Sequence, residues 1–178
     1  MLVIIPAYNE EESLARVVAG VRAAVPGADV VVINDGSHDR TPLIAQRAGA
    51  MVVSLPYNLG IGAAMQTGFM LAQTGDYQMA VQVDGDGQHD PAEIGALRER
   101  LLAGEADVGV GSRYLEKRGY ITPWLRMLGI KILASYVSTL AGQGFSDTTS
   151  GFRASNCRAL QLCAMNYPAD YPEPESLL

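Results

Sequence analysis

The sequence predicts a doubly wound α/β fold: one domain built on a mostly parallel sheet. Short apolar, β-branched runs alternate with segments of helical period, the rhythm of strand and crossover helix. The runs are continuously apolar, as strands covered by helices on both faces require. Each run ends in polar residues, at the edge where such sheets bind ligands. A chain of 178 residues is long enough to bury a substantial core in one domain.

The elements follow in order. Leu2–Ala7 is the first predicted strand. Asn9 is placed to cap the next helix, with Glu12 completing a capping box. Leu14, Val17, Val21 and Val25 recur on one face of that helix, and Pro26-Gly27 ends it. Val30–Asn34 is the second strand. Its helix opens at Thr41-Pro42, where proline suits a first turn, and stops at Gly49. Met51–Leu55 is the third strand, followed by a helix from about Gly62 to Gln73. Met79–Asp84 is the fourth. The next helix opens at Asp90-Pro91, carries Glu93 in the capping-box position and reaches about Ala103. Asp107–Gly111 is the fifth strand.

After Gly111 the alternation breaks. A basic, irregular stretch (Ser112–Pro123) leads to a helix from Trp124 to about Leu140 and a polar turn from Gly142 to Gly151. Another short helix follows before the end at Tyr171–Leu178. Trp124, Leu128, Ile132 and Leu140 share one side of their helix and read as core. Arg118, Arg126 and Lys131 nearby keep an interfacial role open.

Composition removes several classes of function. With 48% hydrophobic and 18% charged residues the chain is not disordered. A net charge of −6 argues against nucleic acid as a partner. A phosphorylated ligand remains compatible, provided a divalent cation mediates the contact. Cys157 and Cys163 are about 240° apart on a helix, which disfavours a disulfide, and they lack metal-ligand spacing. They read as reduced core residues of a cytoplasmic protein. The strand pattern starts at Leu2, leaving no signal peptide in view. The longest weakly charged stretch, Ile132–Gly142, is far short of the roughly 20 residues of a bilayer span, so any membrane contact is expected to be peripheral, at the cytoplasmic face.

The strand ends carry the chemistry. They read Pro6-Ala7-Tyr8-Asn9-Glu10, Asn34-Asp35-Gly36-Ser37, Asn58 with Gly60-Ile61-Gly62, Asp84-Gly85-Asp86-Gly87-Gln88, and Gly111-Ser112-Arg113. Asp84 and Asp86 are the most informative, because alternate residues of an extended chain share a face. A few hard oxygens with free coordination positions suit Mg²⁺ or Mn²⁺ clamped by a diphosphate. A solvated Asp-Gly turn is the plain alternative. An EF-hand loop fails, since Gly95 stands at the twelfth position. Gly60-x-Gly62 lacks the third glycine of a dinucleotide fingerprint, which counts against an oxidoreductase, and no phosphate-loop Lys follows it. His38 and His89 border the site and read as supporting or solvent-exposed residues.

Six segments occur in a fixed order: Val3–Glu10, Val32–Asp39, Asn58–Ala63, Val83–Pro91, Gly111–Tyr114 and Asp147–Arg153. Together they resemble glycosyltransferase family two, with its GT-A fold, and most closely its dolichol-phosphate mannose synthase-like, polyprenyl-phosphate glycosyltransferase branch. The resemblance implies a metal-dependent, inverting transfer of mannose or glucose from GDP-mannose or a UDP-hexose. The implied acceptor is a polyprenyl phosphate. A saccharide hydroxyl in cell-wall or exopolysaccharide synthesis, or a non-catalytic nucleotide-sugar-binding module, are the alternatives.

By the same resemblance Pro6, Ala7, Tyr8, Glu10, Asp35, Gly62 and Asp84 contact the nucleotide, with Asp35 on the base. Asp84, Asp86 and Gln88 hold Mg²⁺ or Mn²⁺, and Asp84, Asp86 and Arg113 form the catalytic set. Arg113 and Arg126 hold the acceptor phosphate, which guanidinium forks suit. Asp147, Glu173 and Glu175 are candidate bases for a hydroxyl acceptor. Residues 1–111 form the nucleotide-sugar half and 112–178 the acceptor half. Family members continue past the segment resembling Tyr167–Leu178 into a further strand and basic tail, so this chain is expected to lack that tail. Homo-oligomerisation stays open.

Overall fold

Five strands form where the apolar runs place them. In the computed structural model, which describes residues 1–111, 138–139 and 150–168, they are β1 (Leu2–Ala7), β2 (Asp29–Asn34), β3 (Met51–Ser54), β4 (Met79–Gln82) and β5 (Val108–Val110). Helices α1 (Leu14–Ala24), α2 (Thr41–Arg47), α3 (Ile61–Thr74) and α4 (Ile94–Leu102) alternate with them, α4 after a single 3₁₀ turn at Pro91–Glu93. The chain then adds a strand the sequence reading lacked, β6 (Arg153–Asn156), and a last described helix, α5 (Cys157–Met165).

Among the described residues the sheet runs β3-β2-β1-β4-β6-β5. β1 pairs in parallel with β2 and β4, and β2 with β3. β6 is antiparallel to both of its neighbours, β4 and β5. The expected mostly parallel sheet is therefore present with one reversed strand inserted near its edge. β6 escaped detection because Arg-Ala-Ser-Asn has no apolar run. Its burial comes from neighbours on both sides, which leave Arg153 only 6% exposed.

Strand alternation sends the two faces of the sheet into separate cores. Val3 and Ile5 of β1, with Val30 and Val32 of β2, pack under Leu14, Val17, Val18 and Val21 of α1 and Ile94 and Leu97 of α4. Leu2 and Ile4, with Val31 and Ile33, pack on the other face against Met65 and Phe69 of α3 and Leu160 of α5. This explains why β1 reads as unbroken apolar sequence: all six of its residues are buried.

Local signals were met unevenly. Asp90 caps its turn through a hydrogen bond from the Ala92 N–H (3.0 Å). The Asn9–Glu12 capping box does not form. Asn9 takes a left-handed φ of 56°, and α1 begins only after Ser13, which makes no side-chain cap. A long-range demand explains it: the Asn9 side chain accepts the His38 N–H (2.9 Å). Cys157 and Cys163 are free, as expected; both are partly exposed on α5, and Cys163 packs against the core on the α3 side of the sheet, whereas Cys157 is not among the core residues. The Ser112–Pro123 stretch, the predicted Trp124 helix (all but residues 138–139) and the Tyr171–Leu178 end lie outside the described residues. Among those described, no helix is long and apolar enough to cross a membrane.

α3 lies close on the sheet because Gly68 has no side chain. A Cβ there would meet Ile4 Cγ2 at 2.4 Å. Gly68→Ala is expected to cost about 1–3 kcal/mol by overpacking. Gly95→Ala in α4, where a Cβ meets nothing within 4 Å, is expected to stabilise by up to about 1 kcal/mol. Urea unfolding of the two variants beside the parent protein checks both signs.

Candidate functional site

The sheet order reverses at β1, with β2 and β3 on one side and β4 on the other. Ligands of doubly wound sheets bind at such a switch point. A cavity of about 270 Å³ opens there. β1 and the turn after it line it with Pro6, Ala7, Tyr8 and Glu10, and the end of β2 adds Asp35. The β3–α3 loop and the start of α3 contribute Asn58, Gly60, Ile61 and Ala64, and the end of β4 contributes Asp84, Gly85 and Asp86. A neighbouring polar cavity of about 410 Å³ shares Glu10 and Asp86 and reaches Arg16 of α1.

Asp35 is 5% exposed, and its two oxygens accept the backbone N–H groups of Leu59 (2.7 Å) and Gly60 (2.9 Å). Next to it, Gly36 has a φ of +70° and lies so close to the loop that a Cβ would meet the Tyr57 backbone carbon at 2.4 Å. Glycine is required there on both counts. The β3–α3 loop is thereby pressed against the end of β2, which brings the N-terminus of α3 to the cavity.

A second set of hydrogen bonds joins the loops after β1 and β2. Asn9 N–H donates to Ser37 Oγ (3.0 Å), Glu10 N–H to Thr41 Oγ1 (2.8 Å) and Glu11 N–H to Asp39 Oδ2 (3.2 Å). In return, His38 N–H donates to Asn9 Oδ1 and Arg40 N–H to Glu11 Oε2 (3.1 Å). Tyr8 stands at this junction 41% exposed, with its ring edge-on to His38 at 6.5 Å. An exposed aromatic face beside a cavity can stack on a planar or sugar ring.

The two aspartates at the end of β4 differ in freedom. Asp84 Oδ1 accepts from Gln82 Nε2 (3.3 Å), and Oδ2 lies 3.2 Å from His89 Nε2. Asp86 is exposed, and its Oδ1 accepts the Gln88 N–H (2.9 Å) across the turn that Gly87 makes with a φ of +77°. Ser13 Oγ donates to the Gly85 carbonyl (2.7 Å), tying α1 to this turn.

Of the sequence-predicted nucleotide and metal residues, Pro6, Ala7, Tyr8, Glu10, Asp35, Asp84 and Asp86 line one cavity. Gly62 is buried in the first turn of α3, and Gln88 is exposed; neither lines it. Arg113, Arg126, Asp147, Glu173 and Glu175 lie outside the described residues. Sequence reasoning passed over Ala64, Ser13 and Gln82. Gln82 left a usable signal, since an amide inside an apolar strand needs a polar partner.

The family described as Glycosyl transferase family 2 matches residues 2–161. The chain belongs to this family. Among relatives, the polyprenol monophosphomannose synthase of Mycolicibacterium smegmatis is 36% identical over 168 residues, covering 90% of this chain and 63% of that protein. The undecaprenyl-phosphate mannosyltransferase of Micrococcus luteus is 32% identical over 174 residues, covering 93% of this chain and 71% of that protein. Glucosyl-3-phosphoglycerate synthase from Mycobacterium tuberculosis, solved with Mn²⁺, UDP-glucose and phosphoglyceric acid, matches this family 2 chain with a TM-score of 0.67 at 26% identity. That match covers 89% of this chain and 56% of the other, so the chain spans little over half of that enzyme's length. The fold is the GT-A arrangement that the sequence resemblance implies.

The Asp39 carboxyl sits below its ordinary value of 3.8: desolvation pushes it up, but hydrogen bonds from the Thr41 hydroxyl and the Thr41 and Glu11 N–H groups outweigh that. A lowered native value means stability that is present above the ordinary aspartate range and lost as pH falls through the native value. Asp39→Asn is expected to cost about 1 kcal/mol near pH 7, with the gap to the parent closing in acid. Urea melts at pH 7 and pH 3 measure it; an equal gap at both would refute the linkage.

Proposed function

We propose that this chain moves a hexose from a nucleotide sugar to a polyprenyl phosphate, inverting the anomeric carbon, with a divalent cation at Asp84 and Asp86. The observation that carries this reading is convergence: two carboxylates from the end of β4 share one cavity with Tyr8, Asp35 and the N-terminus of α3. The acceptor class is supported by the relatives named polyprenol monophosphomannose synthase and undecaprenyl-phosphate mannosyltransferase. The donor and cation classes are supported by the neighbour solved with Mn²⁺ and UDP-glucose.

The donor set fits a hard cation that a ligand completes. Asp84 and Asp86 offer two carboxylates, and no group of three or more His, Cys, Asp or Glu forms a closed cage among the described residues. Gln88 stands on the same turn as a third oxygen donor. Bound there, Mg²⁺ or Mn²⁺ supplies Lewis-acid neutralisation of the departing nucleoside diphosphate.

The remaining work falls to the chain itself. The start of α3, where Gly60, Ile61 and Ala64 line the cavity, brings first-turn N–H groups that have no partner within the helix and the positive end of its dipole, a setting that favours diphosphate. Tyr8 stacks on the nucleoside over Pro6 and Ala7, and Glu10 borders it. Each Asp35 oxygen keeps a lone pair for a base N–H after accepting one backbone N–H. Arg113 and Arg126 are assigned the acceptor phosphate. An acceptor phosphate oxygen is already anionic, so positioning dominates and no strong base is required. A hydroxyl acceptor would call on Asp147, Glu173 or Glu175. In this reading residues 1–111 bind the donor and 112–178 the acceptor, with peripheral membrane contact at the lipid phosphate.

Two measurements test the proposal. Labelled GDP-mannose and UDP-glucose, offered with a short polyprenyl phosphate or a saccharide, should give product on the lipid phosphate; turnover on hydroxyls alone sinks the acceptor assignment. Asp86→Ala should lose Mn²⁺-dependent binding of GDP or UDP by at least about tenfold in calorimetry while the far-UV spectrum holds. Unchanged binding refutes the cation site.

A further inference from the structure

The Asp84 carboxylate is half-buried, with its oxygens flanked by neighbours and one side open to the cavity. Gln82 Nε2 approaches Oδ1 and His89 Nε2 approaches Oδ2, at 3.3 and 3.2 Å. On another side stands Gly151, where a Cβ would lie 2.5 Å from each carboxylate oxygen. Only glycine leaves room for Asp84 in this position.

His89 is held as firmly as the group it touches. Its side chain is 7% exposed, and its ring stacks on Phe152 with centroids 5.3 Å apart and planes 18° from parallel. Phe152 is fully buried, and its carbonyl accepts the Gly111 N–H at 2.8 Å. The imidazole therefore cannot swing into the cavity, which it does not line. A nitrogen facing a carboxylate at this distance must carry the hydrogen, because two acceptors would repel.

We propose that His89 is a positioning residue for Asp84: its Nε2–H, braced by Phe152 and given room by Gly151, fixes the carboxylate in the orientation that receives the cation and diphosphate. The proposal rests on the functional reading of Asp84 given above. It also moves part of the Asp147–Arg153 segment from the acceptor side to the donor side, since Gly151 and Phe152 act on the β4 aspartate. Preorganised carboxylates bind metals better than mobile ones, and residues bracing a ligand typically carry ten- to hundredfold in metal affinity. A histidine that merely filled space would affect stability alone.

Two substitutions separate these roles. His89→Phe keeps a ring on Phe152 and removes the donor. His89→Gln keeps an N–H donor and removes the ring. Calorimetry with Mn²⁺ plus GDP or UDP should show affinity reduced about ten- to hundredfold in His89→Phe and largely recovered in His89→Gln, although His89→Gln melts lower. Gly151→Ala, with His89 intact, should lose affinity as His89→Phe does. Parental affinity in His89→Phe, or affinities that simply follow the melting temperatures, would overturn the proposal.

A ligand-free arm keeps its failure distinct from failure of the functional reading. Nitrogen NMR of the imidazole should show His89 as the Nε2–H tautomer, perturbed by Asp84→Asn. The Nδ1–H tautomer overturns the proposal even if nucleotide binds. If the parent protein binds no Mn²⁺–nucleotide, the functional reading fails, and with it the cation role given to His89, whatever the tautomer.

Discussion

The site depends on the buried carboxylate of Asp35. Burying an ionised group is costly unless its oxygens are matched, and here each accepts a backbone N–H from the β3–α3 loop. The pairing works in both directions. It satisfies the carboxylate, and it stops Leu59 and Gly60 from seeking partners that would carry the loop away from the sheet. Gly36 makes the approach sterically feasible, and Asn34 reinforces it by donating from Nδ2 to Ser54 Oγ (3.1 Å). Once this loop is fixed, the start of α3 is fixed, and so is one wall of the cavity.

The opposite wall is built on different bonds for a related reason. Parallel strands deliver their loops to one edge, but nothing in the sheet orders those loops relative to each other. Asn9, Glu11, Ser37, Asp39 and Thr41 do so by exchanging side-chain and backbone hydrogen bonds. Individually such bonds contribute about 1 kcal/mol. Collectively they set where Tyr8 and Glu10 stand. The polar residues crowding these strand ends are therefore structural, and Asp35 would serve a second purpose in the proposed chemistry.

What was legible in the sequence follows from the range of each interaction. Burial on both faces made β1, β2 and β4 apolar, and the less buried β3 and β5 still carry short apolar runs, so the strands could be read; the switch-point rule then put Tyr8, Asp35, Asp84 and Asp86 at one edge. Asp90 capped its turn as expected because its partner is two residues away. Asn9 failed as a cap because its partner is 29 residues away in sequence. β6 was invisible because its environment, not its composition, makes it a strand. The contact of Gly151 with Asp84 joins residues far apart in the chain, and no local pattern announces it. The Asp147–Arg153 segment was recognisable as a motif, yet the place of its Gly151 beside Asp84 required the fold.

The same contrast between fixed and adjustable groups separates the two aspartates of one short motif. Asp84 is 30% exposed at its side chain, with a nitrogen of Gln82 or His89 near each oxygen. Asp86 is exposed on a turn whose bend is set by Gly87. In the proposed site, a cation shared with a diphosphate would make opposite demands on Asp84 and Asp86. One must be preorganised, so that binding needs little rearrangement. Another must follow the ligand as it enters and departs. Asp84, braced just past the strand end, and Asp86, exposed two residues later, would meet both demands. Gly85 separates them, and its carbonyl is anchored by Ser13 of the α1 cap. In the proposed site the Asp-Gly-Asp spacing does more than place two oxygens on one face: it puts one aspartate in a half-buried place beside Gly151 and the other on the exposed turn.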